Sequence, residues 1–111
     1  MSRLAYVNGA FLRNQDALVH IEDRGFQFGD GVYEVCLHID GALWDAKGHF
    51  ARLRRSLAEL EINLAITDRA LATVFFEIVR RNRLRDALVY LQVTRGVAMR
   101  NHAFPKNDTP S

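Results

Sequence analysis

Residues 32–44 read Val-Tyr-Glu-Val-Cys-Leu-His-Ile-Asp-Gly-Ala-Leu-Trp and predict the strand around which this domain is built. Side chains alternate in character along residues 32–39, and a period of two is typical of a β-strand. Asp40-Gly41 then predicts a tight hairpin turn, and residues 42–44 predict a short return strand. The alternation separates two faces: one with Tyr33, Val35, Leu37 and Ile39, the other with Glu34, Cys36 and His38.

The segments around this hairpin predict a second hairpin and two helices. Asn8-Gly9 separates two short segments near the start, and this dipeptide favours the positive φ angles of a type I′ turn. Apolar residues later recur at steps of three and four, as they do along one face of a helix. We predict helices over residues 46–61 and 68–83, with Asp45 and Thr67 as their N-caps.

A last strand over residues 87–94 completes the pattern. It is apolar on both faces, so we expect it at the centre of the sheet. The order of elements is strands, helix, helix, strand within 111 residues, a length that suits one domain. The sequence therefore predicts an α+β fold in which two helices pack on one face of a largely antiparallel sheet.

The composition excludes several classes of protein. Hydrophobic residues make up 49% and charged residues 25%, an ordinary globular balance, and no apolar run is long enough to predict a membrane span. Cys36 is the single cysteine, so we predict no disulfide and no metal site, and we expect a reducing cytoplasm. The basic residues are spread over helix flanks and loops, so we predict no nucleic-acid partner.

Candidate binding residues lie in and just after the glycine-rich residues 21–31. These hold three glycines and two phenylalanines, which suit either close approach to a ligand or a tight connection whose phenylalanines fill the core. Tyr33 follows directly. We expect its ring in the core and its hydroxyl near the loop, where the hydroxyl contacts either a ligand or another protein group.

Arginines supply two further candidates. On the first helix Arg52 or Arg54 could turn inward to hold an anion, and the spacing does not choose between them, whereas Arg55 points to solvent. After the last strand Arg100 and His102 alternate in a loop. That spacing suits either two donors aimed at one carboxylate or an exposed polar loop.

Together these segments resemble the class IV aminotransferases, the fold-type IV enzymes that use pyridoxal 5'-phosphate. The resemblance rests on Tyr-Val-Asn-Gly at residues 6–9, on Glu-Asp-Arg-Gly-Phe-Gln-Phe-Gly-Asp-Gly-Val-Tyr-Glu-Val at 22–35, and on His-x-x-Arg-Leu-x-x-Ser at 49–56. Thr-Arg-Gly-x-x-x-Arg-x-His-x-Phe-Pro at 94–105 resembles the D-amino-acid aminotransferase branch. The resemblance implies transfer of an amino group between a D-amino acid, such as D-alanine, and a 2-oxo acid.

The resemblance also implies roles for individual residues. Arg52 matches the arginine that binds the cofactor phosphate, and Tyr33 matches the tyrosine of the substrate site. Arg100 and His102 match the pair that holds the substrate carboxylate together with that tyrosine. In the family this pair reaches the site of the neighbouring subunit, so a homodimer is implied.

The family's Schiff-base lysine lies in a second, larger domain, beyond the span of this sequence. Lys47 and Lys106 have solvated settings that do not suit a nucleophilic amine. We therefore expect residues 1–111 to form the N-terminal small domain, with no catalytic residue of its own and no activity alone. The alternatives are a branched-chain aminotransferase, an aminodeoxychorismate lyase of the same family, or a truncated, non-catalytic interaction domain.

Overall fold

The strand predicted first is the centre of a three-stranded antiparallel sheet. In a computed structural model, which describes residues 3–101, 103–104 and 109–111, strand β3 (Gly31–Ile39) pairs with β4 (Ala42–Leu43) and β5 (Ala87–Thr94). The register aligns Gly31 with Thr94 and His38 with Ala87, so β3 and β5 pair along almost their whole length. This confirms the α+β class.

The remaining elements surround this sheet. The chain begins with a separate hairpin, in which Asn8 and Gly9 take positive φ angles of 48° and 90°, as a type I′ turn requires. No helix in the described part of the chain is long and apolar enough to cross a membrane. The elements are β1 (Leu4–Val7), β2 (Ala10–Arg13), a 3-10 turn (Asn14–Asp16), α1 (Arg24–Phe28), α2 (Ala46–Glu59) and α3 (Asp68–Arg81).

The two long helices begin where the sequence predicts and end two residues early. Thr67 caps α3 as expected, because its Oγ1 accepts a hydrogen bond from the Ala70 amide at 3.1 Å. Asp45 stands at the N-cap of α2, but its backbone is left-handed (φ 51°) and its side chain makes no capping hydrogen bond. Both helices end early because Glu61 and Arg83 adopt left-handed backbone and close Schellman-type turns.

The faces of β3 are the reverse of our prediction. Glu34, Cys36 and His38 are buried, whereas Tyr33 is 66% exposed. Both helices pack against the Cys36 side, and the apolar stripes of α2 and α3 form the core there. That core consists of Cys36, Phe50, Leu53, Leu57, Ile62, Leu71, Phe75, Val79, Val89 and Val93.

The prediction that residues 87–94 form a central strand is also wrong. Within the described residues β3 is central, and the outer edge of β5 makes backbone hydrogen bonds only at Thr94, with Ser111. The outer face of β5 is apolar but exposed, with Leu88 71% and Tyr90 60% accessible. Apolar side chains on both faces of a strand therefore do not show that other strands pair with both of its edges.

The glycine-rich segment forms α1 instead of an irregular loop. Asp23 caps this helix by accepting a hydrogen bond from the Gly25 amide at 2.8 Å. Gly25 packs against β5, where an added Cβ would lie 2.2 Å from Thr94 Cγ2. Phe26 is exposed, so the alternative in which both phenylalanines fill the core is wrong.

We expect Leu53→Ala to lower the free energy of unfolding of this chain by about 2–5 kcal/mol, because Leu53 is fully buried between helix and sheet. Urea unfolding followed by circular dichroism measures the change. Leu18→Ala is the matched control, since Leu18 is 74% exposed, and we expect a change within about 0.5 kcal/mol. Equal losses in the two variants would contradict the core assignment.

Candidate functional site

A buried carboxylate on β3 organises the first half of the candidate site. Glu34 is only 5% exposed, and its side chain points towards α2. His49 Nδ1 lies 2.8 Å from Glu34 Oε1, while Arg52 donates from Nε to Oε2 and from Nη2 to Oε1, both at 2.8 Å. His49 and Arg52 reach the same carboxylate because residues three apart lie on the same face of a helix.

The charges of this group stabilise one another. The hydrogen bonds from Arg52, aided by the contact with His49, hold the pKa of Glu34 below its usual value despite its burial. In return, hydrogen bonding to Glu34 raises the pKa of Arg52, and the negative charges of Glu34 and Asp45 act in the same direction. Arg52 is therefore a fixed cation held by a two-point contact.

The orientation of Arg52 leaves part of its guanidinium group exposed to solvent. The side chain is 58% exposed, and within the described residues Nη1 makes no hydrogen bond. Arg54, the other candidate, is engaged elsewhere: it bonds to Asp68 at 3.0 Å and to the carbonyl oxygens of Leu64 and Ile66. Of these two arginines, Arg52 is thus the one with an edge available to an external anion.

Tyr33 lies on the outer face of the sheet, next along the strand from Glu34. Its ring stacks on Tyr90 of β5, with centroids 5.9 Å apart and an angle of 23° between the ring planes. The Tyr90 hydroxyl donates to Gln92 Oε1 at 2.9 Å, which orients the second ring. This exposed pair gives the outer face of the sheet an aromatic surface.

A second buried carboxylate, Asp30, lies just before β3 and joins two buried arginines. Arg24 and Arg95 each donate from Nε to Asp30 Oδ2 at 2.8 Å, and each of the three side chains is at most 5% exposed. We call these three residues the Asp30 clasp. The clasp joins α1, the start of β3 and the end of β5.

The clasp also contacts the residues that follow α2, and its carboxylate stays ionised. Arg95 donates to the carbonyl oxygens of Leu60 and Glu61, which follow that helix. Burial acts to raise the pKa of Asp30, but hydrogen bonds from Arg95 and Arg24 outweigh it, so the pKa lies below its ordinary value. Asp30 is therefore a carboxylate between two cations.

The structure places the remaining predicted site residues as follows. Arg100 is exposed and, within the described residues, makes no hydrogen bond or ion pair with Tyr33 or Arg52. His102 lies outside the described residues. No group of three or more potential metal ligands occurs among the residues that the structure describes.

Sequence reasoning missed both carboxylates. Neither Asp30 nor Glu34 stands out in the sequence, because acidic residues at this spacing are commonplace. The available signal was the strand alternation, since it places Glu34 on the same face as Cys36. Had that face been taken as buried, Glu34 would have required a cation, because a buried charge is stable only when it is paired.

Comparison with known proteins assigns the chain to a family. The family model described as Amino-transferase class IV matches residues 31–111, which include β3, α2, α3 and β5. The chain belongs to the class IV aminotransferase family. It is 45% identical over 103 residues to the D-alanine aminotransferase of Bacillus licheniformis and 42% identical over 100 residues to that of Staphylococcus haemolyticus.

These relatives are much longer than the chain. The two alignments cover 93% and 90% of this chain but 36% of each relative. The fold of the class IV chain also matches the branched-chain amino acid aminotransferase of Escherichia coli, with a TM-score of 0.91 at 19% identity over 99% of this chain and 39% of that one. At that identity the similarity establishes the fold alone.

We expect Asp30→Asn to lower the free energy of unfolding by about 3–5 kcal/mol at neutral pH, because it leaves two buried guanidinium groups without their anion. The folded-state pKa of Asp30 is lowered, so its contribution is present above about pH 4 and is lost as the pH falls through the folded value. Urea unfolding across this pH range should show the two proteins converging in acid.

Asp16→Asn is the control for this measurement. Asp16 pairs with Arg13 at 2.9 Å, but both side chains are largely exposed, so the loss should be about 0–1 kcal/mol. An Asp30→Asn loss as small as that of the control would show that the clasp does not hold these elements together.

Proposed function

We propose that this chain is the N-terminal small domain of a pyridoxal 5'-phosphate-dependent aminotransferase that acts on D-amino acids such as D-alanine, with a 2-oxo acid as the amino acceptor. The observation that carries the proposal is the Glu34–Arg52 pair, which leaves one edge of a fixed cation exposed to solvent. The names of the two curated relatives support the D-amino-acid assignment.

Arg52 fits the phosphate of this cofactor. A phosphate dianion needs a cation that stays protonated, and a guanidinium group held by a carboxylate meets that requirement. Because Glu34 occupies Nε and Nη2, the phosphate would bind to the remaining edge of Arg52. When bound, the cofactor supplies the carbonyl group and the electron-withdrawing ring on which amino transfer depends.

We assign the substrate carboxylate to Tyr33, Arg100 and His102. The Tyr33 hydroxyl can donate one hydrogen bond, and stacking on Tyr90 limits where the hydroxyl lies. Arg100 is exposed and can offer a two-point contact to a carboxylate. The family resemblance assigns Arg100 and His102 to the neighbouring subunit's site, so we propose a homodimer.

We also propose a cytoplasmic location for the enzyme. Cys36 is buried against α2, where desolvation raises the pKa of its thiol, so it remains a neutral, unreactive thiol. A single buried cysteine that forms no disulfide suits a reducing compartment.

The substrate class is tested with the full-length gene product that contains this segment. We expect it to convert D-alanine and 2-oxoglutarate to pyruvate and glutamate, detected by coupled assay of pyruvate. L-leucine with 2-oxoglutarate and aminodeoxychorismate are tested in parallel. Activity confined to L-leucine would assign a branched-chain aminotransferase, lysis of aminodeoxychorismate alone would assign the lyase, and no activity would favour an interaction domain.

The role of Arg52 is tested by a pair of variants on the same helix. We expect Arg52→Ala to weaken cofactor binding about ten- to a hundredfold, because the phosphate loses a charge-assisted contact. Arg55→Ala is the matched control, since Arg55 is exposed on the opposite side of α2 from the core. Titration of the apoenzyme with pyridoxal 5'-phosphate measures both.

Far-ultraviolet circular dichroism establishes that both variants keep the native fold. Equal losses of cofactor affinity in Arg52→Ala and Arg55→Ala would reject a specific role for Arg52.

A further inference from the structure

The segment of residues 96–104, which carries Arg100, is tied to the Asp30 clasp at several points. At its start, the Arg24 amide donates to the Gly96 carbonyl at 2.8 Å, and the Ala98 amide donates to the Glu22 carbonyl at 3.3 Å. At its far end, the Arg95 guanidinium lies 3.9 Å above the ring of Phe104. Gly96 and Phe104 therefore contact residues of the clasp, and Ala98 contacts the chain just before it.

The closest tie to Arg100 comes from Arg24. While Nε of Arg24 donates to Asp30, its Nη1 donates to the backbone carbonyl of Asn101, the residue directly after Arg100. The two contacts use two separate arms of one rigid, planar group. The Asn101 carbonyl is thus held at a fixed position relative to a buried carboxylate.

Arg24 is too deeply buried to contact a substrate itself. It is 2% exposed, so it cannot contact a substrate in solvent, and its ring contact with Phe28 at 4.7 Å further restricts it. Arg100 is exposed, and no contact with Tyr33 or Arg52 within the described residues fixes its side chain. What the fold fixes is the backbone next to Arg100.

We propose that Arg24 is a positioning residue for substrate binding: by holding the Asn101 carbonyl, it sets the backbone from which Arg100 reaches the substrate carboxylate. This inference rests on the proposed function. It predicts that substitution of the buried Arg24 changes the affinity of the enzyme for the amino acid and leaves cofactor binding unchanged.

Arg24→Lys tests the proposal in the full-length enzyme. Lysine keeps a positive charge for Asp30, but its single ammonium group cannot reproduce the two-armed contact. We expect the KM for D-alanine to rise roughly three- to tenfold, as for the loss of one hydrogen bond, with kcat within about twofold and cofactor affinity unchanged. In combination with Arg100→Ala, Arg24→Lys should add no further increase, because both act through the same carboxylate contact.

Arg81→Lys is the matched control. Arg81 also combines an ion pair, with Glu77, and a ring contact, with Phe11 at 4.1 Å, but it lies on α3 and has no contact with residues 96–104 among the described residues. We expect its KM to equal that of the unmodified enzyme. An unchanged KM in Arg24→Lys, or an effect that multiplies with that of Arg100→Ala, would overturn the proposal.

Amide hydrogen exchange supplies a readout that does not depend on activity. In the 111-residue chain, the Ala98 amide and its neighbours up to residue 101 should exchange faster in Arg24→Lys than in the original chain, with exchange in α3 unchanged. Equal exchange at residues 96–101 would overturn the proposal. If the enzyme shows no transamination, the proposed function fails, and this measurement still decides the role of Arg24.

A second variant covers the case in which Arg24→Lys does not fold. Asn101 is exposed, so Asn101→Gly loosens the peptide that Arg24 holds without disturbing the core. We expect the KM for D-alanine to rise with unchanged cofactor affinity. An unchanged KM in this variant would also overturn the proposal.

Discussion

Two buried guanidinium groups share one carboxylate oxygen at the end of the sheet, and this contact determines where the surrounding segments meet. Arg24, Asp30 and Arg95 come from α1, from the residue before β3 and from the residue after β5. Buried charges are stable only when they are paired, so these segments cannot separate or slide without leaving a charge without a partner. The same arginines bond to carbonyl oxygens at the end of α2 and beside Arg100. The clasp thereby links the core to the candidate site.

The buried face of β3 changes character along its length. Glu34 lies towards the start of the strand and binds His49 and Arg52, whereas Cys36 lies two residues further on within the apolar core. Asp30 extends the polar end beyond the strand. The buried carboxylates therefore lie at the start of the strand, and apolar packing follows around Cys36, while the buried His38 near the far end contacts the Arg85 carbonyl at 3.1 Å.

The elements of this fold could be predicted from the sequence, but the buried face could not. Hairpin turns, the Thr67 cap and the helical stripes depend on local backbone preferences that each segment carries itself. The alternation in β3 shows that it is a strand, but it does not show which face is buried. One face carries apolar side chains and the other carries Cys36, and either could lie in the core. The choice depends on where α2 and α3 dock, and Glu34 is buried there only because Arg52 and His49 follow fifteen or more residues later.

The candidate site was predictable in part for a related reason. Helical spacing left Arg52 and Arg54 equivalent, and the family resemblance selected Arg52. Contacts outside the helix distinguish the two: Arg54 meets the carbonyl oxygens of the loop before α3, and Arg52 meets Glu34. The spacing of residues within α2 does not predict either of these contacts.

The preference for arginine over lysine has a physical use in this domain. Of the 15 basic residues only two are lysines. Arg24, Arg54 and Arg95 each bridge a carboxylate and a backbone carbonyl. One ammonium group on a flexible stem cannot hold two such acceptors in a fixed geometry. For Arg24 and Arg95 the carboxylate is the buried Asp30, so these two arginines fix the position of a loop and of a helix end relative to a buried charge.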